Sequence, residues 1–358
     1  MLNVPSNNLS LVLDEVSKLS DHEVIVVGGN EPQLGKNVEN ILLRNVLKIL
    51  SLLISHLDVG ADIRKNDHVD IIIVYGFSTE FLFFTYISSL FRTRNVYLLV
   101  HHNLQQAKQN ALMKFLLHLY NFFGYKFIIH ETLSPLKDIG FNDQQISRRL
   151  ALLHPVQEVE GESKSSSDLL LEVKQNEIFK VGLIGKIRKG KRFLETLSLL
   201  TEISRKLNFL LIIGSDDVPA LELTVADGVK LVDTSSHENY LAALALCDIL
   251  VLNYQETDYL YRCSGVAADA VGARTYVVCP NFPLLSHQVN YPSLVGVLYD
   301  SESELEEAIK RALTLASSSE KSAFNEHYAE RSASNITLLL DQSINHAKQE
   351  LSLSSGLR

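Results

Sequence analysis

Apolar positions along the first half of the chain alternate between two periods. Leu9, Leu11, Leu13, Val16 and Leu19 follow a helical spacing, and the unbroken run Val24 to Val27 then ends at Gly28-Gly29, which predicts a helix and a buried strand. Ile41 to Leu57 predicts a second helix and VDIIIVY (Val69 to Tyr75) a second strand. Phe77 to Phe91, apolar and aromatic throughout, predicts a buried helix. Val96 to Val100 is a third strand, closed by His101-His102-Asn103. A long helix from Leu104 to about Phe123, the strand Lys126 to His130, a short helix Ser134 to Ile139 and a last strand Leu150 to Leu153 complete the half. Strands apolar on both faces, alternating with helices, imply a parallel sheet covered on both sides.

The pattern lapses at Val156 to Glu177, rich in Ser and Glu, whose middle (Glu160 to Asp168) reads as a linker, and then restarts. Strand Phe179 to Ile184 leads into the glycine-basic turn GKIRKGK (Gly185 to Lys191) and helix Phe193 to Lys206. Strand Phe209 to Ile213, loop Gly214 to Pro219, strand Val229 to Leu231 and helix Glu238 to Leu246 follow. The apolar run Ile249 to Leu252 ends in a polar loop, after which Arg262, Ser264 and Gly265 open a small-residue helix leading to the strand Thr275 to Cys279. A strand Gly296 to Tyr299, a helix Glu302 to Ala316 and a terminal helical segment Lys321 to Gln349 end the chain. The expected architecture is α/β: two Rossmann-like, doubly wound parallel sheets facing across a cleft. The expected domains are residues 1–156, a linker region 157–177, a second domain 178–320, and a helix 321–358 crossing back toward the first. With eight residues ahead of Leu9, the first domain lacks the opening strand such sheets normally have. Ligands in these folds lie outside the carboxyl ends of the strands.

Length adds that 358 residues suit two cores rather than one. Net charge is −9, but the first 156 residues carry 14 basic against 14 acidic side chains, so the excess lies in the second half. An acidic balance argues against nucleic acid as a partner and limits membrane contact to a local, peripheral one. Cys247, Cys263 and Cys279 lie sixteen residues apart with no close pair and no His at ligand spacing, which predicts reduced thiols, no metal site and a cytoplasmic setting.

Helix starts leave unpaired N–H groups and the positive end of the dipole facing outward, so Ser264-Gly265 suits either a phosphate or nothing beyond an ordinary serine cap. Arg262 could hold a phosphate in two-pronged fashion, or pair with Asp258 or Glu256 in its own loop. The lysines of the 185–191 turn are either anion ligands or a solvated basic turn. Gly214-Ser215-Asp216-Asp217 reads as a strand-end turn in preference to a metal pair. No G-x-G-x-x-G follows a strand, which excludes a dinucleotide dehydrogenase. Leu104 to Lys126, with Lys108, Lys114 and Lys126 among Leu, Phe and Tyr, fits a core-packed helix better than a membrane-surface one.

These stretches together resemble the GT-B-fold glycosyltransferases, most closely the retaining branch that uses nucleotide-sugar donors. FKVGLIGKIRKGKRFLETL is similar to the family's strand, Gly-Arg/Lys turn and Lys-Gly helix start. YLAALALCDILVLNY is similar to the segment before its donor site, and YRCSGVAADAVGARTYVV to the Arg-x-Ser-Gly form of its donor helix. HVDIIIVYGF, NVYLLVHHNL and LALLHPV are similar to strands, strand-end His and His-Pro of its first domain. The resemblance implies a hexosyltransferase-type enzyme moving a sugar from a nucleotide diphosphate sugar, UDP among the candidates, to a glycan, lipid-linked or protein acceptor, as in polysaccharide biosynthesis. It implies donor-diphosphate binding by Lys186, Lys191 (or Lys189 if the turn is short), Arg262, Ser264 and Gly265. Asp269, one helical turn on, stands where the family has the Glu that binds the ribose hydroxyls, and His101 or His102 where its strand-end His contacts the donor sugar. It implies no cofactor beyond the nucleotide sugar and no required metal, and a cytoplasmic site, peripheral at most to the inner membrane face. Three positions depart from the pattern: Tyr261 or Arg262 replaces the first acidic residue, Arg274 the Gly and Tyr276 the Pro of the next turn. The glycine-rich loop of the first domain has no counterpart beyond Val4-Pro5-Ser6-Asn7-Asn8. Those departures open two alternatives, a non-catalytic subunit that binds a partner glycosyltransferase or a glycan, and a nucleotide-sugar epimerase.

Overall fold

A computed structural model describes residues 24–28, 41–146, 149–159, 178–216, 229–318, 321–342 and 345. The expected Leu9–Leu19 helix, the 160–168 linker, the missing first strand and its loop, Asp217 and the end of the terminal helix lie outside these residues. Two compact units share the chain: Met1–Leu153 with Ala333–Arg358, and His154–Ser332.

In the first unit, β1 (Val24–Gly28), α1 (Ile41–Lys65), β2 (Ile71–Tyr75), α2 (Leu82–Ser88), β3 (Val96–Val100), α3 (His102–Gln109), α4 (Ala111–Phe122), β4 (Lys126–His130), α5 (Ser134–Asp138), α6 (Asp143–Ile146) and β5 (Leu150–Leu152) follow one another. All five strands are parallel and stand in chain order, β1-β2-β3-β4-β5. Strands β2 and β3 are buried along their whole length, as their unbroken apolar runs require. A helix over residues 333–342 returns to this unit, where Ile336 and Leu340 pack on Ile71, Ile73, Tyr97 and Ile128.

Two expectations need correction here. The long helix from Leu104 is two helices, because Asn110 adopts extended backbone (φ −133°, ψ 116°) and its Oδ1 accepts from the N–H groups of Leu112 and Met113. Asn competes for the backbone inside a helix and satisfies it at a start, so the break falls there. The run Phe77 to Phe91 is helical only over seven residues and is not buried throughout. Leu90 and Phe91 take left-handed backbone, and Phe83, Ile87 and Phe91 reach solvent.

The second unit contains β6 (Lys180–Ile184), a 3₁₀ turn Lys189–Lys191, α7 (Phe193–Leu207), β7 (Leu210–Ser215), β8 (Val229–Asp233), α8 (His237–Leu246), β9 (Ile249–Val251), α9 (Glu256–Tyr259), α10 (Gly265–Gly272), β10 (Tyr276–Pro280), α11 (Pro283–Asn290), β11 (Gly296–Tyr299), α12 (Leu305–Ser317) and α13 (Ser322–Glu330). Its six parallel strands are ordered β11-β10-β9-β6-β7-β8. The chain therefore winds outward from β6 in one direction and, after β8, crosses back to β9 and winds in the other. β6 and β9 are neighbours, with Val181 beside Ile249 and Gly182 beside Leu250, and their carboxyl ends flank the switch point.

Small residues make that centre close-packed. A Cβ on Gly182 would meet Cys247 Sγ at 2.6 Å, and one on Gly272 would meet the Gln157 carbonyl oxygen at 2.1 Å. Residues 154–159 belong to this unit for that reason: they run across the end of α10, with the Val159 N–H bonded to the Gly272 carbonyl at 2.8 Å. Arg331 closes the unit from inside. Fully buried, its guanidinium donates to the carbonyls of Tyr291, His287 and His154, of which the first two end α11, where a cation is favoured. The three cysteines are free and buried. Among the described residues no helix is long and apolar enough to cross a membrane.

Candidate functional site

Strand β6 ends at Gly185, whose φ of +137° suits only glycine and whose missing Cβ leaves room for Lys191 Nζ, 3.3 Å from where that atom would stand. The turn therefore folds Lys191 back over the strand end. Opposite it, β9 runs out through Asn253 and Tyr254, and the Gln255 N–H donates to the Gly190 carbonyl at 3.0 Å, tying the two turns together. Gly190 packs closely on the next loop as well: a Cβ there would fall 2.7 Å from Asp258 Oδ2. The basic turn and the loop before α10 are thus one structure.

Lys191 is half-buried and lies 5.8 Å from the centroid of the Tyr254 ring. Among the described residues its ammonium has no ion pair. Burial, reinforced by the cations of Arg188 and Lys186 and partly offset by Asp216, lowers its pKa to about 8. Lys186 stands apart, exposed and 3.5 Å from the Asp216 carboxylate. Asp216 closes the strand-end turn after β7. Lys189 contributes backbone to the 3₁₀ turn, and its side chain lies outside the described ones.

Ser264 caps α10. Its hydroxyl accepts from the Ala267 N–H at 3.2 Å, while its own backbone N–H and carbonyl are both held by the buried Gln288 amide of α11, at 3.0 and 2.8 Å. Gly265 has open space where a side chain would begin, with nothing within 4 Å. Tyr254, buried, stacks on Tyr259 at 4.0 Å and shares a 2.9 Å hydrogen bond with Ser264 Oγ. The side-chain amide nitrogen of Asn253 is buried without a hydrogen-bond partner, although its Oδ1 accepts from Tyr299. Arg262 lies over the Tyr259 ring at 5.4 Å and donates to the Asp258 backbone carbonyl at 3.3 Å, so the loop partner expected from Asp258 is its carbonyl and not its carboxylate. Asp269 is half-buried and accepts from the Tyr240 hydroxyl at 2.8 Å, which fixes one carboxylate oxygen.

Lys191, Ser264 and Gly265 are therefore brought to one place, around Tyr254. Asp269 is on the same helix, Arg262 on its entry loop and Lys186 at the turn's outer edge. Sequence reasoning missed Tyr254, Tyr259, Tyr240 and Gln288. The signal for Tyr254 and Tyr259 is the density of tyrosines in NYQETDYLYR, which follows a buried strand; nothing marks Tyr240 or Gln288. Of the two positions for the expected acidic residue, Tyr261 is a core one with 1% of its surface exposed and Arg262 is half-buried on the entry loop. Arg274, where the resemblance expects a glycine, takes left-handed backbone (φ +59°), and its guanidinium is held by Glu158 and Asn325.

In the first unit, β3 ends at Val100, and the two histidines belong to the next helix: His101 is the residue before α3 and His102 its first. Strand alternation does not apportion them, contrary to expectation. Both are half-buried, and the His101 ring meets His130 edge-on at 6.1 Å. Burial lowers the pKa of His130.

No protein-family profile matches the chain, and no curated protein matches its sequence. Solved structures do match in fold. A crystal structure of Anabaena Alr3699/HepE in complex with UDP has 15% identity and a TM-score of 0.60, covering 100% of this chain and 98% of that one. An α,α-trehalose 6-phosphate synthase from Burkholderia multivorans has 10% identity and a TM-score of 0.56 over 87% of this chain and 77% of its own. The catalytic domain of starch synthase IV from Arabidopsis thaliana, bound to ADP and acarbose, has 11% identity and a TM-score of 0.57 over 83% and 77%.

Proposed function

We propose, for a chain that has the GT-B glycosyltransferase fold, that it transfers a sugar from a nucleotide diphosphate sugar to a glycan, lipid-linked or protein acceptor. The observation that carries this reading is the pairing, at the switch point, of an unpaired lysine ammonium with a serine-capped helix start. A diphosphate leaving group gathers charge as the glycosidic bond breaks, and preformed cations and N–H donors stabilise that charge more than the ground state. Lys191, Ser264 and Gly265 supply them, Lys186 at the outer edge of the turn and Arg262 on the entry loop add positive charge, and the carboxylate of Asp269, oriented by the Tyr240 hydroxyl, is the acceptor for a ribose diol. A uracil nucleotide is the first candidate, because Alr3699/HepE is described with UDP and with UDP-glucose. The acceptor is assigned to the first unit, where His101 or His102 is the candidate for a sugar contact.

Retention follows from the resemblance: the departing phosphate takes the acceptor's proton, so no carboxylate base is needed. Peripheral contact with a membrane carrying a lipid-linked acceptor is supported by Leu112, Phe115 and Phe122, which are exposed on α4 together with Lys114. A second reading, a non-catalytic subunit that keeps the nucleotide site and binds a partner glycosyltransferase or a glycan, is favoured by Tyr261 and Arg262, neither of which offers a carboxylate where the resemblance expects one. Thermal-shift and transfer assays with UDP-, GDP- and ADP-sugars separate them. Transfer or hydrolysis establishes the enzyme, binding without turnover the subunit, conversion without acceptor an epimerase, and no binding at all overturns the nucleotide reading.

A further inference from the structure

The hydroxyls of Tyr254 and Ser264 carry one more hydrogen than their surroundings can accept. Both residues are buried, 5% and 4% exposed, and their oxygens lie 2.9 Å apart. Ser264 Oγ already takes the Ala267 N–H. Among the described residues neither oxygen has a further hydrogen-bond partner. If Ser264 donated to Tyr254, the tyrosine hydrogen would be left without an acceptor deep against the stacked Tyr259 ring. If Tyr254 donates, both acceptor positions of Ser264 Oγ are filled and its own hydrogen is the one left over. The second arrangement leaves the spare donor on the residue that opens α10, next to the empty space over Gly265. A buried O–H without an acceptor is costly, and the cost disappears when an oxyanion arrives there.

We infer that Tyr254 is a positioning residue: by donating to Ser264 Oγ it turns the serine hydrogen outward, so that the helix start offers an O–H donor, besides its N–H groups, to a diphosphate also held by Lys191. The inference rests on the nucleotide-sugar reading for the identity of the ligand but not for the direction of the hydrogen bonds. Two further observations agree with a ligand at this place. The Asn253 amide, buried at the end of the same strand, also lacks an acceptor, and the Lys191 ammonium on the other side of Tyr254 lacks a carboxylate. Gln288 grips the Ser264 backbone on both sides, so only the hydroxyl is free to turn.

A double-mutant cycle read by titration calorimetry with UDP and with inorganic pyrophosphate tests this. Ser264→Ala is expected to weaken both ligands about tenfold, the worth of a hydrogen bond to a charged group, and Tyr254→Phe roughly fivefold. In the Ser264→Ala background Tyr254→Phe should change nothing further, because the route through the serine is gone. Ser264→Thr keeps the cap and the hydroxyl, and there the full effect of Tyr254→Phe should return, which answers any loss of folding in the alanine variant. Equal effects of Tyr254→Phe in the presence and absence of the serine hydroxyl, or wild-type affinity in Tyr254→Phe, overturn the inference. Pyrophosphate binding that depends on Tyr254, with no gain from the uridine, upholds it while refuting the nucleotide reading. UDP binding indifferent to Tyr254 does the reverse, and no binding of either ligand refutes both.

Discussion

Lys191 makes opposite demands on the empty and the occupied protein, and replacing it with methionine should expose both. Its pKa falls from 10.5 to about 8, so at pH 7 the folded protein holds a desolvated ammonium that lacks a carboxylate. A base with a depressed folded pKa contributes stability that is complete above the unfolded value and is lost as pH falls through the folded one. At pH 7 that loss is in force. A shift of this size, discounted for the part of the side chain that water still reaches, corresponds to about 2 kcal/mol. Methionine fills a similar volume without the charge but forfeits the contact with Tyr254, worth about 0.5 to 1 kcal/mol. The net gain of about 1 kcal/mol should raise the melting temperature of the second unit by roughly 2 to 4 °C. The same variant should lose most of the thermal shift given by UDP. In the wild type, UDP affinity should fall about tenfold between pH 7 and pH 9, since roughly nine-tenths of the ammonium is protonated at the first and a tenth at the second. Lys191→Arg, charged throughout, should remove that dependence. Scanning calorimetry with and without UDP from pH 7 to 9 measures all of this. A methionine variant that melts lower than wild type at pH 7, or that retains the UDP shift, would refute the assignment of Lys191 as a strained cation awaiting an anion.

Three other outcomes are expected. Gly265→Ala should leave folding intact or stabilise it by about 0.5 kcal/mol, since its Cβ meets nothing within 4 Å and alanine is the better helix former, yet should weaken nucleotide binding by filling the space over the helix start; calorimetry and titration separate the two effects. Gly272→Ala should cost about 2 kcal/mol in chemical denaturation, because its Cβ would lie 2.1 Å from the Gln157 carbonyl and the end of α10 would have to part from residues 157–159. His130, with its pKa lowered by burial, stabilises the first unit above pH 6.5 and loses that contribution as pH falls below it; the drop in melting temperature from pH 7 to pH 5 should be smaller in His130→Asn.

Most of the strands and the longer helices were legible because a parallel strand is apolar on both faces and stands out from any amphipathic neighbour. The parallel, doubly wound character of the second sheet was legible from the alternation of such strands with helices, whereas its strand order comes from the structure. Where the reading failed, short-range chemistry outweighed periodicity. Asn110 divides a helix that the apolar spacing would have continued, and His101 and His102 leave the strand whose alternation was meant to sort them. The site was half legible for a related reason. A glycine-lysine turn and a Ser-Gly helix start are local in sequence, whereas Gln288 reaches Ser264 from twenty-four residues away and carries no mark of doing so. The direction of a hydroxyl hydrogen is further still from the sequence, because it depends on counting every acceptor around a buried pair.

Tyr261 and Arg274, two positions where the sequence departs from the pattern it resembles, are anchored apart from the Lys191 turn and the Ser264 helix start. Arg274 occupies a left-handed position at the cost of about 1 kcal/mol of backbone strain, offset by its bonds to Glu158 and Asn325 and its place over Tyr328. Those contacts lie at the far end of α10 from Ser264. Tyr261 goes into the core. The turn and the helix start hang on other anchors: the Gln288 clamp, the Gln255–Gly190 bond and the fit of Gly190 against Asp258. Under the proposed function, a tyrosine or an arginine in place of the acidic residue, at position 261 or 262, bears on the sugar and its transfer, whereas the helix start and the lysine turn rest on anchors of their own.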